Sequence, residues 1–284
     1  MSRRLQPFTS AVLVAALGLV AVGCDSAAAP VPTSTTVPKF LMSGLPVAVG
    51  DGSAMVGQAA TAASIDPANQ IGSKVAGNRV LAIGDSVMAS TATRYTNDMC
   101  KALVPLGWQV EVEAETGRFI DFGTKVLKRR WAAGWDVVVI LLGNNYSGDA
   151  DAYQSQMQEM VTLMDPRPVV LLTVSEFARS RVTVNRMILD IASRNTNVLV
   201  VDWAAITAAN RSLTGGDRLH LTLPGRTALA ESVASALGRA PVSPGACLDS
   251  KYTDDSMGPV QGTTTVPRPT TPATPAADTE VPGT

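Results

Sequence analysis

The chain has 284 residues, 46% of them hydrophobic, and a formal charge of −1, so it can bury a core and carries no basic surplus for a nucleic-acid partner. Three cysteines exclude a cysteine-rich scaffold and a multi-cysteine zinc site. A single histidine argues against a metal hydrolase built on several imidazoles.

Residues 1–23 read as an export signal. Arg3 and Arg4 supply the positive start, and Ala11 to Val22 is an apolar run too short to span a bilayer comfortably. The run ends in Ala21-Val22-Gly23-Cys24, which resembles a bacterial lipobox and makes Cys24 the expected lipidation site. An uncut anchor, or secretion with Cys24 free, is the alternative. Residues 24–78 are rich in Ala, Pro, Thr, Ser and Gly with no firm period, and read as a low-complexity tether.

Residues 79–250 alternate strand-like and helix-like segments. Arg79 to Gly84 is an apolar run stopped by glycine, and Met88, Ala92, Tyr95, Met99 and Leu103 follow at helical spacing. Trp108 to Ala114 alternates apolar and acidic side chains, the pattern of an edge strand. Phe119 to Ala133 reads as helix, and Trp135 to Leu142 as a fully buried strand. A helix face marked by Tyr153, Met157, Met160 and Met164 precedes a strand over Pro168 to Val174. Val184, Met187, Ile188 and Ile191 mark the next helix, and Asn197 to Trp203 the fifth strand. Pro224 suits a first helical turn, with Leu229, Val233 and Leu237 on its inner face. Five β-α units in series predict an α/β fold, a three-layer α/β/α sandwich around a five-stranded parallel sheet. Residues 251–284 end Thr/Pro-rich and are expected to be a disordered tail.

In such sheets, sites form at the carboxyl ends of the strands. Gly84-Asp85-Ser86 follows the first strand, Glu115-Thr116-Gly117-Arg118 the second, and Gly143-Asn144-Asn145 the third. Asp217-Arg218-Leu219-His220 follows the fifth strand and its extension. A mechanism needing an imidazole near neutral pH must use His220, and Asp217 stands close enough to hold one ring nitrogen. Asp85 reads as a brace of its turn. Singly, each stretch is an ordinary turn or cap; in this order at successive strand ends they deliver a nucleophile, oxyanion donors and an oriented base to one edge.

Over about residues 79–238 these blocks resemble the SGNH (GDSL-like) hydrolase superfamily. Asp85-Ser86-Val87-Met88 and Thr116-Gly117-Arg118 look most like the extracytoplasmic SGNH domains associated with membrane O-acyltransferases of the peptidoglycan O-acetyltransferase type. The resemblance implies a flavodoxin-like SGNH sheet, Ser86 as nucleophile, His220 as general base and acid, and Asp217 as orienting carboxylate. It places the oxyanion hole at the N–H groups of Ser86 and Gly117 and the Asn145 amide. Arg118 and Tyr146 are candidate substrate contacts. No cofactor or metal is implied.

Cys100 and Cys247 remain after Cys24, and two leftover cysteines in an exported protein are expected to pair as a structural disulfide. The expected activity is hydrolysis of acyl esters, acetyl above all, by an exported and lipid-anchored monomer. The alternatives are an O-acyltransferase handing the acyl group to a cell-envelope glycan, with a separate membrane acyltransferase as partner, and a non-catalytic wall-binding lipoprotein.

Overall fold

The computed structural model describes residues 67–261. The signal segment, Cys24, most of the tether and the Thr/Pro-rich residues beyond 261 lie outside the described residues. Among the described residues one parallel sheet has the order β5-β4-β3-β1-β2-β6. Its strands are β1 (Arg79–Gly84), β2 (Gln109–Ala114), β3 (Val137–Leu141), β4 (Val169–Leu172), β5 (Val198–Val201) and β6 (Ala246–Cys247). The helices are α1 (Ser86–Ala89), α2 (Asp98–Leu103), α3 (Ile120–Arg130), α4 (Ala150–Met164), α5 (Arg179–Arg194), α6 (Trp203–Ala209) and α7 (Leu223–Leu237). No helix of the described residues is long and apolar enough to cross a membrane.

The middle of the sheet follows from composition. Val137-Val138-Val139-Ile140-Leu141 is wholly buried, as a strand covered on both faces must be, whereas Val198, Leu199 and Val200 on β5 are only half-buried at the sheet's edge. Helix α2 packs against α7, and α3, α4 and α5 pack in series, giving two helical layers around the strands. Met157, Met160 and Met164 put the buried stripe of α4 into the core.

Four expectations change. The sheet has six strands, not five. Ala246 and Cys247 pair with Gln109 and Val110, a register secured where Cys100 on α2 is disulfide-bonded to Cys247. β2 is therefore not an edge strand, and its Glu111 and Glu113 are buried. The helical stripe from Met88 to Leu103 is broken after one turn. The hydroxyls of Ser90 and Thr91 turn back onto the carbonyls of Val87 and Met88 at 2.7 and 2.8 Å, competing with the helical ladder, and Asn97 has a left-handed backbone, φ 59°. Met88, Ala92, Met99 and Leu103 are buried all the same.

The domain is also longer at both ends than the 79–250 expected. Ile71 is buried against the core, and Gln70 Nε2 donates to Ser235 O at 3.2 Å. Residues 251–261, assigned from sequence to a disordered tail, run along β2, with Lys251 N and Tyr252 N donating to the Glu113 carboxylate. Neither stretch carries an apolar period, so hydrophobic patterning does not reveal it.

Candidate active site

Gly84 ends β1 where the chain must pass close under the first helical turn: a Cβ there would lie 2.2 Å from Met88 Cβ. Asp85 then caps α1, its Oδ1 accepting from Val87 N at 3.1 Å. Ser86 is thereby the first residue of α1, where a backbone N–H has no intrahelical acceptor.

Asp85 is fully buried and ties this turn to the loop after β3. Asn144 Nδ2 donates to both of its carboxylate oxygens, at 3.1 and 3.0 Å. Burial pushes the Asp85 carboxyl up to about 6, against the pull of hydrogen bonds from Val87 and Asn144. Local pattern does not separate Asn144 from its neighbour Asn145; only the resemblance singles out Asn145. Gly143, at φ 135°, sets the turn that sends the first amide inward and the second towards the 115–118 loop.

The Asp217–His220 loop is closed by its own backbone. Gly215 N donates to His220 O at 2.8 Å, Arg218 takes a left-handed φ of 59°, and Thr214 bridges to Leu221. Asp217 Oδ1 accepts from the amides of Leu219 and His220, which aims Oδ2 at His220 Nδ1, 2.7 Å away. Burial alone would raise the Asp217 carboxyl; hydrogen bonds from the His220 ring and the two amides outweigh it and hold the group below the usual carboxylate range. An ionised carboxylate only accepts, so Nδ1 carries a ring proton here, the tautomer whose neutral form leaves the Nε2 lone pair facing Ser86. Ser86 Oγ lies 3.0 Å from that Nε2. Ser86 is 4% exposed and His220 9%, shielded from bulk water yet reachable.

Gly117 has φ 67° in the loop after β2, a conformation costly for any residue with a Cβ. Asn145 Nδ2 donates to Arg118 O at 3.2 Å, which fixes the amide plane and leaves its second N–H to point elsewhere. The Arg118 guanidinium is held by Glu115 at 2.6 Å and Asp254 at 2.9 Å. Tyr146 stacks edge-on against Tyr153, ring centroids 5.8 Å apart. A cavity of about 330 Å³ opens beside Asn145, lined by Phe119, Asp121, Tyr146 and Gln156 among others. The structure thus brings together Ser86, His220 and Asp217, and joins Asn145 to the Gly117-Arg118 loop. It puts Cys100 and Cys247 in a disulfide on the β6 side of the sheet.

No family model matches this chain. It is similar to O-acetyltransferase OatA of Staphylococcus aureus (strain NCTC 8325 / PS 47), 24% identical over 160 residues, 55% of this chain and 24% of that protein. The chain thus spans about a quarter of the length of the curated relative it matches. Among solved structures it is similar to the C-terminal catalytic domain of Streptococcus pneumoniae peptidoglycan O-acetyltransferase A (17% identity, TM-score 0.48, 57% of this chain and 93% of that one). It is also similar to a Clostridium thermocellum family 3 carbohydrate esterase (15% identity, TM-score 0.47, 56% and 94%).

Proposed function

We propose that this protein is an SGNH-type serine esterase that cleaves acyl esters, acetyl esters above all, through an acyl-enzyme on Ser86. The observation that carries this is the continuous relay from Ser86 Oγ to His220 Nε2 at 3.0 Å and from His220 Nδ1 to Asp217 Oδ2 at 2.7 Å. Ser86 Oγ attacks the ester carbonyl while His220 Nε2 takes its proton, and Asp217 stabilises the imidazolium that forms. The carbonyl oxygen becomes an oxyanion received by the N–H groups of Ser86 and Gly117 and by the free N–H of Asn145. His220 returns the proton to the departing alcohol. A second hydroxyl, deprotonated by the same ring, then resolves the acyl-enzyme. Tyr146 lines the cavity that opens beside Asn145 and is the candidate substrate contact; the Arg118 side chain, engaged by two carboxylates, shapes the loop instead.

The second hydroxyl belongs to water in an esterase and to a glycan in an O-acyltransferase. The resemblance to a protein named an O-acetyltransferase favours weighing the second reading. The intact relay speaks against a non-catalytic wall-binding role. Arg3, Arg4, the apolar run to Val22 and Cys24 support export with a lipid anchor.

A sulfonyl fluoride should modify Ser86 stoichiometrically, and His220→Ala should abolish the modification. Labelling of another serine, or none in folded protein, refutes the mechanism. Product analysis of an activated acetyl ester, with and without glycan fragments, separates free acetate from acetylated sugar.

A further inference from the structure

The loop that carries Gly117 is not held by the sheet alone. Thr116 N donates to Asp255 Oδ1 at 3.2 Å, and Met257 N donates to Thr116 Oγ1 at 3.1 Å. Both partners come from the C-terminal segment 251–261. Asp255 also receives Arg94 Nε on Oδ2 at 2.7 Å, Arg94 Nη2 on Oδ1 at 3.0 Å and the Tyr95 hydroxyl on Oδ2 at 2.7 Å. Arg94 Nη2 reaches on to Ala114 O, the last residue of β2, at 2.6 Å. Arg94 and Tyr95 belong to the stretch that follows the Ser86 helix. One carboxylate therefore joins the segment behind the nucleophile to the loop bearing Gly117. Met257 closes the other side: a Cβ on Gly117 would lie 2.8 Å from Met257 Cβ.

We infer that Asp255 is a positioning residue for the oxyanion hole, fixing through Thr116 and Arg94 the distance between the Gly117 and Ser86 N–H groups. The inference rests on the serine esterase reading above. An oxyanion hole works only if its donors stand at the oxyanion's place before it forms, and a shift on the order of 1 Å can cost about 10²-fold in rate. The Thr116 amide bond stops the peptide before Gly117 from turning, and the bidentate arginine keeps the carboxylate from following it. Asp255 is held below the usual carboxylate range because the Arg94 and Tyr95 bonds outweigh its partial burial, so it is ionised at neutral pH.

The test is steady-state turnover of 4-nitrophenyl acetate by the full chain, with melting curves for each variant. Asp255→Ala is expected to lower kcat by about 10- to 100-fold with KM changed less than about threefold. Asp255→Asn is expected to fall between wild type and Asp255→Ala. Its oxygen still accepts from Thr116 and Arg94 Nη2 and its amide can donate to the Tyr95 hydroxyl, but that amide now opposes the Arg94 Nε–H and the fork is lost. A loss confined to KM, or a wild-type kcat in Asp255→Ala, would overturn the inference. Should Asp255→Ala fail to fold, Arg94→Lys decides. It keeps the charge but not the fork, so a several-fold loss of kcat at constant KM supports the positioning role and a wild-type kcat overturns it. Ser86→Ala run alongside separates the two readings. Turnover surviving there overturns both; turnover lost there but intact in Asp255→Ala overturns this one alone.

Discussion

Two neighbouring asparagines give the sharpest test of the site. Asn145 is half-buried, and one N–H of its amide is held by Arg118 O at 3.2 Å. Its other N–H is the one assigned to the oxyanion. Asn145→Ala should remove about 3–4 kcal/mol of transition-state stabilisation, a fall in kcat of about 10²–10³, with KM little changed. The same substitution should leave stability within about 1 kcal/mol, because a single hydrogen bond to a carbonyl near the surface is lost. Asn144 is 3% exposed and donates to both oxygens of the fully buried Asp85. Asn144→Ala strips that carboxylate of the one amide that reaches both its oxygens, a cost of roughly 2–4 kcal/mol, or about 5–15 °C in Tm for a domain of this size. Turnover at a temperature where both variants are folded, together with calorimetric melts, distinguishes them. If Asn144→Ala loses kcat at unchanged Tm while Asn145→Ala keeps its kcat, the two roles are interchanged and the assignment fails.

Three further outcomes are expected. His220→Ala should reduce esterase activity to background with a nearly unchanged circular dichroism spectrum; retained activity in pure protein would refute the mechanism, since the chain has no second imidazole. The Asp85 carboxyl rises from 3.8 to about 6 on folding, so the folded state binds the extra proton between those values and stability falls as pH rises through that window. The stability of Asp85→Asn relative to wild type should therefore grow by up to about 3 kcal/mol from pH 4 to pH 7 in urea titrations, and a constant difference would contradict the burial argument. Reduction of the Cys100–Cys247 disulfide, which closes a separation of 147 residues, should cost roughly 2–5 kcal/mol while leaving turnover of the folded fraction intact; free thiols in protein purified without reductant would count against the pairing.

Much of the sheet and the relay is legible from short-range pattern because each piece is local. A Val/Ile/Leu run closed by glycine marks the end of β1 or β3, and the strand end is where a parallel sheet presents side chains to a cleft. Asp217 and His220 are three residues apart in one loop, so their contact needs no long-range information. The break between α1 and α2 is harder. Met88, Ala92, Met99 and Leu103 are buried as a helical stripe would bury them, and only the hydroxyls of Ser90 and Thr91 and the backbone of Asn97 show that the stripe is not one helix. Asn144 and Asn145 are harder still, because identical side chains take opposite roles according to the φ of Gly143.

The acidic alternation of β2 is the most instructive misreading. Val110, Glu111, Val112 and Glu113 in turn look like one buried and one solvated face, the signature of an edge. Yet Glu111 is 3% exposed and Glu113 fully buried, and burying a carboxylate is costly unless donors meet it. Here they do. Arg130 forks onto Glu111 at 2.6 and 2.7 Å, Lys251 and Tyr252 give backbone N–H groups to Glu113, and Asp254 N and Arg118 answer Glu115. Glu113 is nonetheless pushed above the usual carboxylate range by burial and by the neighbouring Glu111 carboxyl, as two carboxyls sharing one enclosure require. Glu113 and Glu115 therefore mark a docking line for a polar segment, and Glu111 an ion-pair site for Arg130, not a wet face. That segment is recruited by hydrogen bonds, not by apolar area, and so escapes any reading based on hydrophobic period. Once Glu113 and Glu115 hold residues 251–254, the next residue is Asp255, which the same line delivers to Thr116 and the loop that carries Gly117.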